Sequence, residues 1–111
     1  MADTYDISTG SGRVQLSGIE PRNLNIGELG IIAIQVVSDA SLDANVTIKL
    51  QQSINGTDWN ELPETPLEID SGANTNLLQT ASFYTKFLAV YVDVQTATTG
   101  TLTIYNTDFN G

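Results

Sequence analysis

Punctuation constrains this chain most. Short runs of alternating apolar and polar residues are cut by clusters of Gly, Pro, Asn and Asp, and no window makes a convincing helix face. Val14 and Leu16 alternate with Arg13, Gln15 and Ser17 until Gly18 breaks the run. Residues 30–38 (GIIAIQVVS) are β-branched and too apolar for a solvated strand. They predict a central strand, buried on one face and partly covered on the other. Val46, Ile48 and Leu50 alternate with Thr47, Lys49 and Gln51, and Asn55-Gly56 separates that run from Trp59 and Leu62. Asn-Gly between strand-like segments predicts a hairpin closed by a type I′ turn, in which both central residues take positive φ. The paired strands are expected over 45–54 and 57–62. Pro63 then marks a strand end and Pro66 an edge or strand start. Leu67 and Ile69 give a short strand, residues 74–82 are ambiguous around Leu77-Leu78, residues 83–94 give a long strand, and Leu102 and Ile104 mark the last.

Seven or eight short strands at turn spacings of roughly 8–12 residues imply a sandwich or a barrel. A wet outer face implies antiparallel pairing. The expected fold is all-β, a single antiparallel β-sandwich, jelly-roll or immunoglobulin-like, over 13–111. Residues 1–12, rich in Ser, Thr and Gly, are expected to form a flexible N-terminal arm.

Composition limits function. The 111 residues suit one domain. Cysteine and histidine are absent, which removes disulfides, thiolate chemistry and imidazole bases or ligands. Four cations against thirteen acids give a net charge of −9, which disfavours a phosphate-binding surface and thus nucleic acid. No apolar run approaches the roughly 20 residues that span a bilayer. The first residues carry neither a basic nor an apolar signal region, so no secretory signal is expected and the sequons at Asn45 and Asn55 are expected to stay unmodified. The expectation is a non-enzyme with no catalytic residues, no cofactor, no metal and no membrane or nucleic-acid partner.

Candidate sites are few. Lys49 and Lys86 sit mid-strand without a nucleophile motif and read as solvated or edge-guarding residues. Asp58, Glu61, Glu64, Glu68 and Asp70 have the hard oxygens a calcium or magnesium ion prefers, but no calcium-loop spacing, and otherwise read as a charged rim. Trp59, with Tyr84, Tyr91 and Tyr105, could stack on a sugar or form an interface; alternatively Trp59 plugs the core.

The segment from Val46 to Leu62 (VTIKLQQSINGTDWNEL) resembles a pattern of small β-sandwich virion proteins in tailed bacteriophages. There a strand ending in Q-x-S meets an N/D-G turn and then T-x-W-x-x-L. Phe87 to Val94 matches a later V-x-V strand, and Gly100 to Ile104 a final Gly-Thr-Leu-Thr-Ile strand, though Lys86-Phe87 replaces the usual aromatic-Arg pair. The resemblance spans about residues 44–105. It implies a structural protein assembled in the host bacterial cytoplasm and located in the virion. Its role would be capsid decoration, with the major capsid or another virion protein as partner, or receptor and carbohydrate binding in a tail or fibre. It also implies a homo-oligomer, a trimer by analogy, and a partner-binding arm containing Asp3, Thr4, Tyr5, Asp6 and Ile7.

Overall fold

The computed structural model describes residues 2–15, 30–62, 66–83 and 87–108. Within them the chain forms nine strands: β1 (Ala2–Asp6), β2 (Gly12–Gln15), β3 (Gly30–Ser38), β4 (Val46–Ser53), β5 (Asn60–Glu61), β6 (Leu67–Ile69), β7 (Thr75–Phe83), β8 (Phe87–Asp93) and β9 (Thr101–Asp108). A single 3-10 turn, Ile7–Thr9, follows β1. One sheet runs β1-β9-β3-β7, and the other runs β2-β8-β4-β5, with β6 also paired to β4. Every pairing is antiparallel.

This strand order selects the jelly roll over the immunoglobulin-like alternative. Each of β2 to β4 lies in the sheet opposite its predecessor, and so does each of β7 to β9. β5 and β6 both lie along β4, against Gln51 and Gln52 and against Val46 to Ile48 respectively. They behave as one edge strand broken in two. The exposed Pro66 stands immediately before β6, consistent with proline's inability to donate to a ladder.

Alternation in sequence becomes alternation across the sheets. Ile34, Val36, Leu102 and Ile104 from the first sheet face Val46, Ile48, Leu50, Leu88, Val90 and Val92 from the second, all at most 1% exposed. Each such burial stabilises by roughly 1.5–3 kcal/mol relative to exposure. Residues 75–82, ambiguous in sequence, belong to a full strand paired to β3, and Phe83 closes that strand opposite Gly30 instead of opening the one expected over 83–94, of which β8 covers 87–93.

Two expectations are corrected. Of the flexible arm expected over 1–12, residues 2–12 are part of the fold. Ala2 to Asp6 pair with Tyr105 to Thr101, and Tyr5 packs on the core while its hydroxyl donates to the Gly10 carbonyl. The cause is Ile7, which is fully buried, with its backbone N–H bonded to the Gly100 carbonyl at 2.9 Å. The Asn55-Gly56 hairpin also differs. Gly56 has φ 77°, but Asn55 is not in the positive-φ region. The Asn55 side chain closes the loop instead, its Oδ1 accepting from the backbone N–H groups of Thr57 and Asp58, each at 2.8 Å. Pairing resumes only at Asn60, so the expected two-residue turn is a longer loop held by an Asx-type bond.

If residues 1–12 belong to the fold, Ile7→Ala should lower stability by about 2–5 kcal/mol in urea unfolding. An arm free of the core would leave the midpoint unchanged.

Candidate functional site

The outer face of the β2-β8-β4 sheet gathers the side chains with most chemical potential. Core residues on β8 are Leu88, Val90 and Val92, so Ala89 and Tyr91 point outward. The register then aligns Arg13, Tyr91 and Lys49 in one row across three strands. Gln51 lies opposite Ala89 in the adjacent row. The Arg13 Nε–H donates to Gln51 Oε1 at 2.8 Å, spanning β8 above Ala89. Ala89 is fully buried although it lies outside the core cluster, as expected beneath that bridge.

Trp59 completes the cluster. It stands in the loop before β5, half-buried, with the Arg13 guanidinium carbon 4.9 Å from its ring centroid. The stack is a cation–π contact worth roughly 0.5–1 kcal/mol at an exposed site. Trp59 is therefore not the core plug considered from sequence. Lys49 Nζ lies 3.4 Å from Glu61 Oε1 at the border of the cluster, a surface pair of about 0–1 kcal/mol. The loop is anchored at Gly56, where a Cβ would lie 3.3 Å from the Phe87 ring, and by Ser53 Oγ, which accepts from the Gly56 N–H at 2.9 Å.

The four candidate aromatics do not converge. Tyr91 is half-buried in the Arg13 row. Tyr105, 45% exposed, lies on the outer face of the other sheet, where it borders a shallow groove with Leu77 and Gln35. Tyr84 lies outside the described residues. Asp3, Thr4, Tyr5, Asp6 and Ile7 are strand and turn residues of the sandwich. Arg13 carried no functional reading in the sequence. Its Trp59 partner is distant along the chain, and the strand pairing alone brings the two together.

Three carboxylates of the acidic stretch engage polar side chains of this chain. Asp58 accepts from Asn55 Nδ2 at 2.9 Å, Glu61 pairs with Lys49, and Glu68 accepts from Asn45 Nδ2 at 3.2 Å. Glu64 lies outside the described residues. Among the described residues no group of three or more His, Cys, Asp or Glu side chains is arranged to hold a metal ion. No helix among them is long and apolar enough to cross a membrane.

A second cluster, at one end of the sandwich, is structural. Asp43 Oδ1 accepts from the backbone N–H groups of Thr98 and Thr99, and its Oδ2 from the Thr98 hydroxyl at 2.6 Å. These bonds, the Thr98 hydroxyl first, lower the Asp43 carboxyl from 3.8 to about 2. Asp39 is lowered likewise, by the Ser41 hydroxyl first and then by the Thr101 N–H. Beside them Gly100 has φ 132°, and a Cβ there would sit 2.8 Å from Leu42 Cα.

No protein-family profile and no curated protein matches the sequence. Among solved structures, the chain resembles the crystal structure of PirA. The TM-score is 0.60 and the identity 16%, over 96% of this chain and 93% of that one. At that identity the likeness concerns the fold alone.

The Asp43 clamp has a pH signature. A carboxyl lowered by folding stabilises the native state above its unfolded value and loses that contribution as pH falls toward the folded value. Acid unfolding followed by circular dichroism should show stability declining between about pH 4 and about pH 2, and Asp43→Asn should be less stable at pH 7 and flatter across that window. Gly100→Ala, which adds both a left-handed strain and a backbone clash, should destabilise by at least about 1–3 kcal/mol in the same assay.

Proposed function

We propose that the protein is a non-enzymatic structural protein of a tailed-phage virion, a capsid decoration protein that docks on the major capsid protein as a homo-oligomer, a trimer by analogy. The observation that carries this reading is the Val46–Leu62 segment, whose Q-x-S, N-G and T-x-W-x-x-L pattern resembles that of such proteins. Two further points support it. Jelly rolls recur in viral capsid proteins, an analogy at the level of fold. The acids Asp39 and Asp43 sit in the loop between β3 and β4, and Asp6 ends β1, giving a like-charged rim suited to display in many copies. Because Ile7 is buried, docking in this reading uses the sheet faces and end loops rather than a free arm.

The test is co-sedimentation of the purified protein with capsids that lack it, together with its mass by light scattering. Saturable binding at fixed stoichiometry is the expected result. Absence of binding over the micromolar range rejects decoration.

A tail or fibre module that binds carbohydrate is the second reading. It is favoured by one observation, that Trp59 stands outside the core on an outer sheet face. In this reading Trp59→Ala abolishes retention on a glycan array while preserving the unfolding midpoint.

A further inference from the structure

We infer that the Arg13–Trp59 platform on the outer face of the β2-β8-β4 sheet is a binding site for a carboxylate-bearing sugar. The inference rests on the second reading above and assigns its ligand class.

Arg13 is the centre of the platform. Its side chain is exposed, yet it is held at two points: Nε–H donates to Gln51 and the guanidinium plane lies against the indole of Trp59. Among the described residues, Gln51 and Trp59 are the partners that hold this side chain. An arginine fixed through Nε keeps its outer N–H groups available as a planar fork, the geometry that grips a carboxylate through two parallel hydrogen bonds. A long flexible side chain normally loses rotamer freedom when it binds. Here much of that ordering is already present in the free protein, so less affinity is lost on binding.

The surroundings select the body of the ligand. Trp59 is only half-buried, so part of its ring offers an apolar surface beside the fork. A pyranose ring presents C–H groups that pack on such a surface, and a uronic acid places its carboxylate one carbon beyond the ring. Tyr91 lies next to Arg13 in the same row, and its phenol can donate to or accept from sugar hydroxyls. Lys49 and Glu61 close the far side as a neutralised pair, so the pair adds no net repulsion toward an incoming carboxylate.

Charge bounds the size of the ligand. Arg13 and Lys49, the two described cations, share this row in a chain of net charge −9. With Lys49 paired to Glu61, the charge left to Arg13 matches a single carboxylate, while the net charge of −9 disfavours long polyanions. A terminal acidic sugar fits this balance better than a nucleic acid or a densely charged polymer.

The sequence contains one tryptophan, so intrinsic fluorescence reports on this site. The full-length protein is titrated with methyl glucuronide and, in parallel, with methyl glucoside and a short polyglutamate peptide. Isothermal calorimetry supplies the affinities. The acidic sugar is expected to shift Trp59 emission and to bind at least about tenfold more tightly than the neutral one, as a charge-assisted bidentate contact implies. Arg13→Lys keeps the charge but removes the fork, and is expected to weaken methyl glucuronide about tenfold with the unfolding midpoint preserved. Equal binding of the two sugars overturns the carboxylate assignment and leaves the carbohydrate reading standing. Binding of neither sugar overturns both. Polyglutamate binding as tight as the acidic sugar overturns the sugar in favour of an acidic peptide.

Discussion

Neither sheet of this protein has an interior of its own. The Ile, Leu and Val side chains on the inner face of one sheet are buried against those of the other, so the contact of Ile34, Val36, Leu102 and Ile104 with Val46, Ile48, Leu50, Leu88, Val90 and Val92 underlies everything else. The jelly-roll path reinforces this dependence. Because successive strands from β1 to β4 and from β7 to β9 change sheets, neighbours along the chain contribute to opposite sides of one core. The outer faces are then free to vary. What is displayed on them, Arg13 and Trp59 on one and Tyr105 and Leu77 on the other, is set by register and not by the demands of the interior.

The two ends of the sandwich solve different problems. At one, carboxylates take the place of strand pairing: Asp39 and Asp43 bond the backbone of the 98–101 segment and tie loops that no ladder joins. At the other, the loop after β4 folds against Phe87 and leads to Trp59 on the outer face. Both devices use side-chain oxygens to satisfy backbone N–H groups in irregular segments, where a missing partner would be costly. The many Asp, Asn, Ser and Thr residues of the loops thus have a mechanical use.

Where burial is two-sided or strictly alternating, the sequence was legible. β3, β4, β8 and β9 carry Ile, Val or Leu at alternate positions over part of their length, as at Ile34 and Val36, Val46 to Leu50, Leu88 to Val92, and Leu102 and Ile104, and the pattern fixes both type and facing. β1 was not legible, because its five residues are mostly polar and its anchor, Ile7, lies one residue beyond the strand. The Asn55-Gly56 turn was misread for a local reason: an asparagine serves a loop through its side-chain carbonyl as well as through positive φ, and the dipeptide does not distinguish the two. The Arg13–Trp59 pair lay beyond local reading altogether. Its members share no spacing, and only the β2-β8-β4 order puts the strand carrying Arg13 on the face that Trp59 overlies.

The pairing of β1 with β9 has a kinetic consequence. Ala2 and Tyr105 are partners about a hundred positions apart, so the first strand has no mate until the last is available. Such non-local closure ties up much chain entropy before any contact rewards it, and folds of this kind form in milliseconds to seconds rather than microseconds. During synthesis, β3 could gain β7 earlier, but the opposite edge of β3 stays open until β9 arrives. The nascent chain therefore passes through an interval with an unpaired apolar strand, and its yield in a crowded cell depends on how quickly the final segment docks.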